Sequence, residues 1–431
     1  MESKFWALAA ERGAGFVTPA QADSISGTGF GPTIVFEGDS RTAQSIDGSQ
    51  GYTCYGPVSW ARALSRTKFK AVTLAVSGNT SETMQTRKAA VQALKPWMVV
   101  RWIGVNDIST GTSGATAASR IIDCATSDIA GGAEYVVLVL ETGFQGWNAT
   151  PVAQQVALNN ALIEFAKTNR KIRIVDSLSM VVDYTAATQV PITYLAGSFA
   201  DGLTHPSVAF SYKLGFRIAS LIDTLWGPAD LGPFLIPGDS TNLLANAGFQ
   251  ATGAGGYSAG WSGTTVNNWF GFQDGAATVV LTPQATPGQT NLREIQLTIT
   301  TSAAATVQIF QDPISGVVAG DRLVGAAEVE IVGTPVNLIQ AQTNLYALVG
   351  GVTSFSWPLF HTPGYDPSPP SSSWPLIAMT QYSPETPPLL VGSGVQTNLR
   401  FGLNVSFRGA GSATVKFRKP YVKKVAAGYQ S

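Results

Sequence analysis

Thr33-Ile34-Val35-Phe36-Glu37-Gly38-Asp39-Ser40 is the stretch whose reading decides the fold. A β-branched and aromatic run of this kind reads as a strand, and the glycine after it marks a turn. A serine delivered by a strand into such a turn projects its hydroxyl beyond the sheet edge, where a base and a substrate can reach it. Gly-Asp-Ser by itself is a weak signal, because it recurs at Gly238-Asp239-Ser240. There Pro237 stands just upstream and no apolar run feeds the turn, so the second copy reads as linker.

Working outward from Ser40, apolar runs alternate with helical patterns as far as Trp226. Strands are expected at 33–37, 69–76, 98–103, 135–140 and 172–176, and helices at 57–66, 81–94, 115–129, 152–169 and 206–225. Strands that are nearly continuous in Val, Ile and Leu have both faces covered, and the alternation predicts a parallel sheet with right-handed crossovers. The expected fold is therefore a three-layer α/β/α, flavodoxin-like domain over 33–228, whose ligand crevice lies beyond the carboxyl ends of the strands.

The segment 229–240 is rich in Pro and Gly and reads as a linker. Beyond it the texture changes to short alternating runs at 276–282, 294–300, 306–311, 323–331, 399–407 and 413–417, without intervening helices. This predicts an all-β sandwich or jelly roll over 241–431. The Pro/Ser-rich stretch 358–388 reads as a long surface loop, and 1–32 as an N-terminal arm outside both domains.

The bulk composition narrows the function classes. With 27 basic and 27 acidic residues the chain carries no net charge, so it lacks the basic field that holds a phosphate backbone. No nucleic-acid partner is expected. No apolar stretch approaches the ~20 residues of a membrane span, and the N-terminus lacks the apolar core of a signal peptide. Cys54 and Cys124 are too far apart in sequence for a metal-like spacing and read as ordinary thiols. His205 and His361 are the two histidines, so any histidine chemistry falls to one of them.

Three more segments stand at predicted strand ends or at the start of the last helix: Ser77-Gly78-Asn79-Thr80, Gly104-Val105-Asn106-Asp107 and Asp201-Gly202-Leu203-Thr204-His205-Pro206. With Gly38-Asp39-Ser40 they give the order Ser, Gly, Asn, His, which resembles the SGNH/GDSL hydrolase superfamily over about 33–226. A hydroxyl does not ionise at neutral pH and needs a general base within hydrogen-bond reach, and a tetrahedral intermediate needs donors aimed at its oxyanion. The resemblance implies Ser40 as nucleophile and His205 as base. The oxyanion donors would be the N–H groups of Ser40 and Gly78 with the side-chain amide of Asn106. Asp201 would be the acid that orients His205. The family's acid stands three residues before its histidine, whereas Asp201 stands four before, with Thr204 as the simplest extra residue. A Ser–His dyad, or another carboxylate such as Asp176, is the alternative. Asp39 and Asp107 read as turn residues, and Arg41 as either a pocket-lining, substrate-binding residue or a solvated one.

Thr241-Asn242-Leu243-Leu244-Ala245-Asn246-Ala247-Gly248-Phe249 resembles the opening strand of carbohydrate-binding jelly-roll modules. By that analogy Trp261, Trp269, Trp357 and Trp374 are candidates to stack on sugar rings. The expected function is a cofactor-free, metal-free SGNH-type esterase removing O-acetyl groups from a polysaccharide. One alternative is a lipid or small-ester acylhydrolase, for which an apolar lid would be the distinguishing feature; none is visible. A second is a phage-tail or adhesin-type glycan-binding protein on an SGNH scaffold. The expected setting is extracellular or virion-associated, with a homo-oligomer, a trimer in a tail protein, as the assembly.

Overall fold

The computed structural model describes residues 32–43, 56–65, 69–187, 191–199, 202–226, 241–286, 292–356, 379–383, 386, 389–394 and 396–425. The first domain runs β1 (Thr33–Gly38), α1 (Ser40–Ala43), α2 (Pro57–Leu64), β2 (Lys70–Thr73), α3 (Ser81–Gln85), α4 (Lys88–Ala93), β3 (Met98–Trp102), α5 (Val105–Ser109), α6 (Gly114–Ala130), β4 (Tyr135–Val139), α7 (Ala149–Thr168), β5 (Ile172–Val175) and α8 (Val208–Trp226). Its strands form a parallel sheet in the order β2-β1-β3-β4-β5. The chain reverses its direction of winding between β1 and β3, which opens a crevice at their carboxyl ends.

Alternation along β1 assigns its side chains to two layers. Ile34 and Phe36 pack with Val58 and Ala61 of α2 and Phe210, Leu214 and Ile218 of α8. Val35 packs on the other face with Met84 of α3, Ile121 of α6 and Leu158 of α7. The helical stretch expected at 81–94 is two helices, because Thr86 ends the first and Arg87 leaves the helical path before the second. Arg87 there reaches Glu37 of β1, Nε to Oε1 at 2.8 Å.

The second domain is mostly antiparallel: β6 (Gly256–Tyr257), β7 (Trp261–Gly263), β8 (Phe270–Ala285), β9 (Arg293–Gln311), β10 (Arg322–Val349), β11 (Val352–Ser356), β12 (Met379–Ser383), β13 (Leu389–Leu390) and β14 (Gln396–Val425). They form one hydrogen-bonded sheet with the main path β11-β10-β14-β9-β8-β6. The runs expected at 294–300 and 306–311 are one strand, as are those at 399–407 and 413–417. Register shifts carry the longest ladder through Val332/Val336, so the strand expected at 323–331 continues past its end through a bulge. The strand β12 corrects part of the loop expected at 358–388, since it pairs with β10 from Ala327 to Ile331; 357–378 lie outside the described residues. So do the arm up to residue 31 and the linker with Gly238-Asp239-Ser240.

The two domains share packed surface. Trp60 and Ala63 of α2 and Val208 of α8 belong to the apolar cluster that contains Val279, Leu297, Val329 and Phe417 of the β-domain. Trp60 is 1% exposed and meets Tyr212 of α8 edge-on at 5.3 Å. Among the described residues no helix is long and apolar enough to cross a membrane.

Candidate active site

Ser40 is the first residue of α1, directly after the β1 strand and its turn, so its N–H has no acceptor within that helix. Gly38 makes the turn: a Cβ there would stand 2.3 Å from the Trp102 carbonyl oxygen of β3. The Ser40 hydroxyl lies 2.8 Å from His205 Nε2, across 165 residues of sequence. Both side chains are half-buried.

The other two blocks are hydrogen-bonded into the same assembly. Val76 N–H donates to the Gly38 carbonyl at 3.2 Å, which seats the turn after β2 beside the Gly38–Ser40 turn. Within that turn Gly78 adopts φ +78°, a left-handed conformation that favours glycine, and nothing lies within 4 Å of where its Cβ would be. Space for a substrate is thus left over its backbone. Asn106, on the first turn of α5, donates from Nδ2 to the Asn79 carbonyl at 2.9 Å, leaving its second amide hydrogen for another acceptor. The hydrogen-bonding pattern assigns Asn79 the amide orientation in which its side-chain oxygen accepts from Arg87 at 3.3 Å.

Asp107 is buried and accepts from both Ser81 N–H (2.8 Å) and Ser81 Oγ (2.6 Å), tying α5 to the start of α3. Burial pushes its carboxyl above the ordinary range, and the two Ser81 hydrogen bonds pull the other way. Its hydrogen bonds link two helix starts, where the sequence reads it as a turn residue. Asp39 also turns inward, but its partner is a cation. Arg41 donates Nε and NH2 to Asp39 at 3.0 and 2.7 Å, and NH1 and NH2 to Glu141 at 2.5 and 2.8 Å. It lies over the Trp102 ring at 4.4 Å.

Arg41 is therefore corrected from pocket lining to a buried structural cation, 1% exposed, because two carboxylates claim its guanidinium. A second buried network, Arg87–Glu37–Arg101–Asp128, ties β1 to β3 and α6. Sequence reasoning missed Glu37, Glu141 and Arg101. The available signal was charge inside otherwise apolar strands, since Glu37 and Arg101 interrupt runs that should be buried.

Pro206 is buried, and the His205 loop is closed at its base by the Phe199–Pro206 bridge, with Ser207 N–H donating to the Ser198 carbonyl at 2.9 Å. Asp201 lies outside the described residues. Asp176 is exposed and accepts from Ser179 N–H at 3.0 Å, which caps the short turn after β5.

In the β-domain, Trp269 is corrected from a sugar platform to core. It is fully buried against Phe249 and Phe417, with ring centroids at 5.1 and 5.7 Å. Trp261 is half-buried against Tyr257 at 5.3 Å and covers Gly271. Trp357, Trp374, His361 and Cys54 lie outside the described residues.

Residues 36–210 match the model of the GDSL-like Lipase/Acylhydrolase family, which supports an acylhydrolase of the GDSL type in the α/β domain. No curated protein matches the sequence. Among solved structures, TesA is similar at 24% identity, over 45% of this chain and 99% of that one, with a TM-score of 0.34. A putative lipolytic protein of the G-D-S-L family from Desulfitobacterium hafniense DCB-2 is similar at 20% identity, over 44% and 99%, with a TM-score of 0.36. The lipase/acylhydrolase from Enterococcus faecalis is similar at 20% identity, over 45% and 96%, with a TM-score of 0.33.

Proposed function

We propose that the chain is a serine esterase of the SGNH type that removes O-acetyl groups from a polysaccharide. The observation that carries the esterase part is the Ser40 hydroxyl at 2.8 Å from His205 Nε2, beside the Gly78 and Asn106 turns. Ser40 Oγ attacks the ester carbonyl while His205 takes its proton. The oxyanion is received by the N–H groups of Ser40 and Gly78 and by Asn106 Nδ2, donors fixed before the charge develops. His205 then protonates the departing sugar hydroxyl. The same imidazole then deprotonates a water, which attacks the acyl-enzyme and releases acetate while His205 returns the proton to Ser40 Oγ. Asp201 is assigned the orienting acid on the resemblance of its motif.

The polysaccharide part draws on the outer face of the β-domain. Cross-strand register sets Phe272 beside Gln308, and Phe270 beside Phe310 and Gly402. Phe270 and Phe272 are exposed, Phe270 stacks on Phe310 at 6.1 Å, and Arg400 lies over Phe310 and Tyr346 at 4.7 and 4.9 Å. Aromatic faces beside the half-buried Gln308 and Arg400 suit a polyhydroxylated chain. This face takes the sugar-contacting role first assigned to Trp269. The exposed side chains of Val76 and Leu203, next to the Gly78 and His205 turns, favour the second reading, an acylhydrolase of small or lipid esters.

Acetate release from a panel of acetylated glycans, set against p-nitrophenyl esters of rising chain length, separates the two. Release from a glycan that Ser40→Ala abolishes is the expected result. A preference for long acyl chains overturns the polysaccharide reading, and unchanged hydrolysis by Ser40→Ala overturns the esterase reading itself.

A further inference from the structure

We infer that Thr204, the extra residue between Asp201 and His205, is the positioning residue that sets His205 against Ser40. The inference rests on the esterase reading of the site.

An inserted residue in a surface turn ordinarily bulges into solvent. Leu203 does so, at 43% exposure, but Thr204 turns inward and is 7% exposed. Its hydroxyl donates to the Gly143 carbonyl at 3.1 Å, and one step back the Leu203 carbonyl accepts from Gln145 N–H at 2.8 Å. These two bonds run in opposite directions and clip the histidine loop to the loop that follows β4.

That second loop is fixed independently. Gly143 N–H donates to Glu141 Oε1 at 2.9 Å, and the Glu141 carboxylate is held by both terminal nitrogens of Arg41. The Glu141 backbone is held by α7: its N–H donates to Asn159 Oδ1 at 2.7 Å, and its carbonyl accepts from Gln155 and Asn159, each at 2.9 Å. Tyr194 donates its hydroxyl to the Thr142 carbonyl at 2.5 Å. Arg41 directly follows Ser40. The path Ser40–Arg41–Glu141–Gly143–Thr204–His205 is therefore a ring, closed by the Ser40–His205 hydrogen bond. Every part up to Gly143 is anchored to the sheet or to α7, so the Thr204 hydroxyl joins the fixed part to the catalytic imidazole. A base displaced by a fraction of an ångström loses rate without losing substrate affinity.

The test compares Thr204→Val, which keeps shape and removes the donor, with Thr204→Ser, which keeps the donor. Wild type and Ser40→Ala are measured beside them on p-nitrophenyl acetate, with thermal midpoints for all. The expected result is a fall in kcat of roughly 10-fold or more for Thr204→Val, with KM within about 2-fold of wild type. Thr204→Ser should recover most of the rate at a similar midpoint. Wild-type kcat in Thr204→Val overturns the inference, as does an equal loss in both variants that follows the midpoint. If wild type hydrolyses the ester no faster than Ser40→Ala, the esterase reading fails first and the inference falls with it.

Discussion

Arg41 follows Ser40 in sequence, yet its guanidinium turns inward and pairs with both Asp39 and Glu141 inside the protein. Burying two carboxylates is tolerable when a planar cation spans both with paired hydrogen bonds. Arg41→Met would leave them without a counter-charge, at a cost of about 3–5 kcal/mol. A thermal midpoint lowered by many degrees is expected. Arg41→Lys should restore little, because an ammonium cannot make the same fork. A wild-type midpoint in Arg41→Met would show that the buried ion pairs contribute nothing to stability. The direction of Arg41 was not legible in the sequence, since a cation after a nucleophile suits a pocket and a buried ion pair equally well. Only Glu141, a hundred residues away, decides between them.

At the scale of elements, Ser40, Gly78, Asn106 and His205 were readable because strand ends and helix starts place them, and those boundaries follow local pattern. Long-range pairing was less readable. The expected 81–94 helix breaks where Arg87 turns to Glu37, and β10 and β14 run through Gly and Asn positions that resemble turns in isolation.

Another such pairing places Cys124, on the inner face of α6, near Arg101 of β3. Burial pushes its thiol up to about 11, partly offset by the Arg101 charge. The unfolded thiol titrates near ~8.5. Between these values the unfolded chain has released a proton that the folded chain keeps. Folded protein then binds more protons, and stability falls as pH rises through that window. Urea midpoints measured across it should decline, and Cys124→Ala should flatten part of the decline. An identical slope in the variant would remove Cys124 as a cause.

For the whole molecule, the contact between α2, α8 and the β-domain decides whether the two sheets unfold together. Trp60 sits in the apolar cluster of the β-domain while belonging to a helix of the α/β domain. Truncating it to alanine should cost about 3–5 kcal/mol. The cost falls on the junction, so a single calorimetric transition in wild type should separate into two in Trp60→Ala. A single transition at the wild-type midpoint would refute a shared core. The change of texture along the sequence announced two domains, but nothing local marks Trp60, within the helix expected at 57–66, as a junction residue. Its cluster neighbours in the β-domain begin only at Leu244.

The junction has a spatial corollary for a polymer substrate. Helix α8 begins just after His205 and Pro206, and its Val208 is seated in the β-domain cluster. On the polysaccharide reading proposed above, a glycan strand held at Phe270 and Phe272 would reach Ser40 at a fixed offset, as along a ruler, rather than at any point a swinging tether allowed. Deacetylation along such a strand would be spaced, with the interval set by the protein and not by the chain it works on.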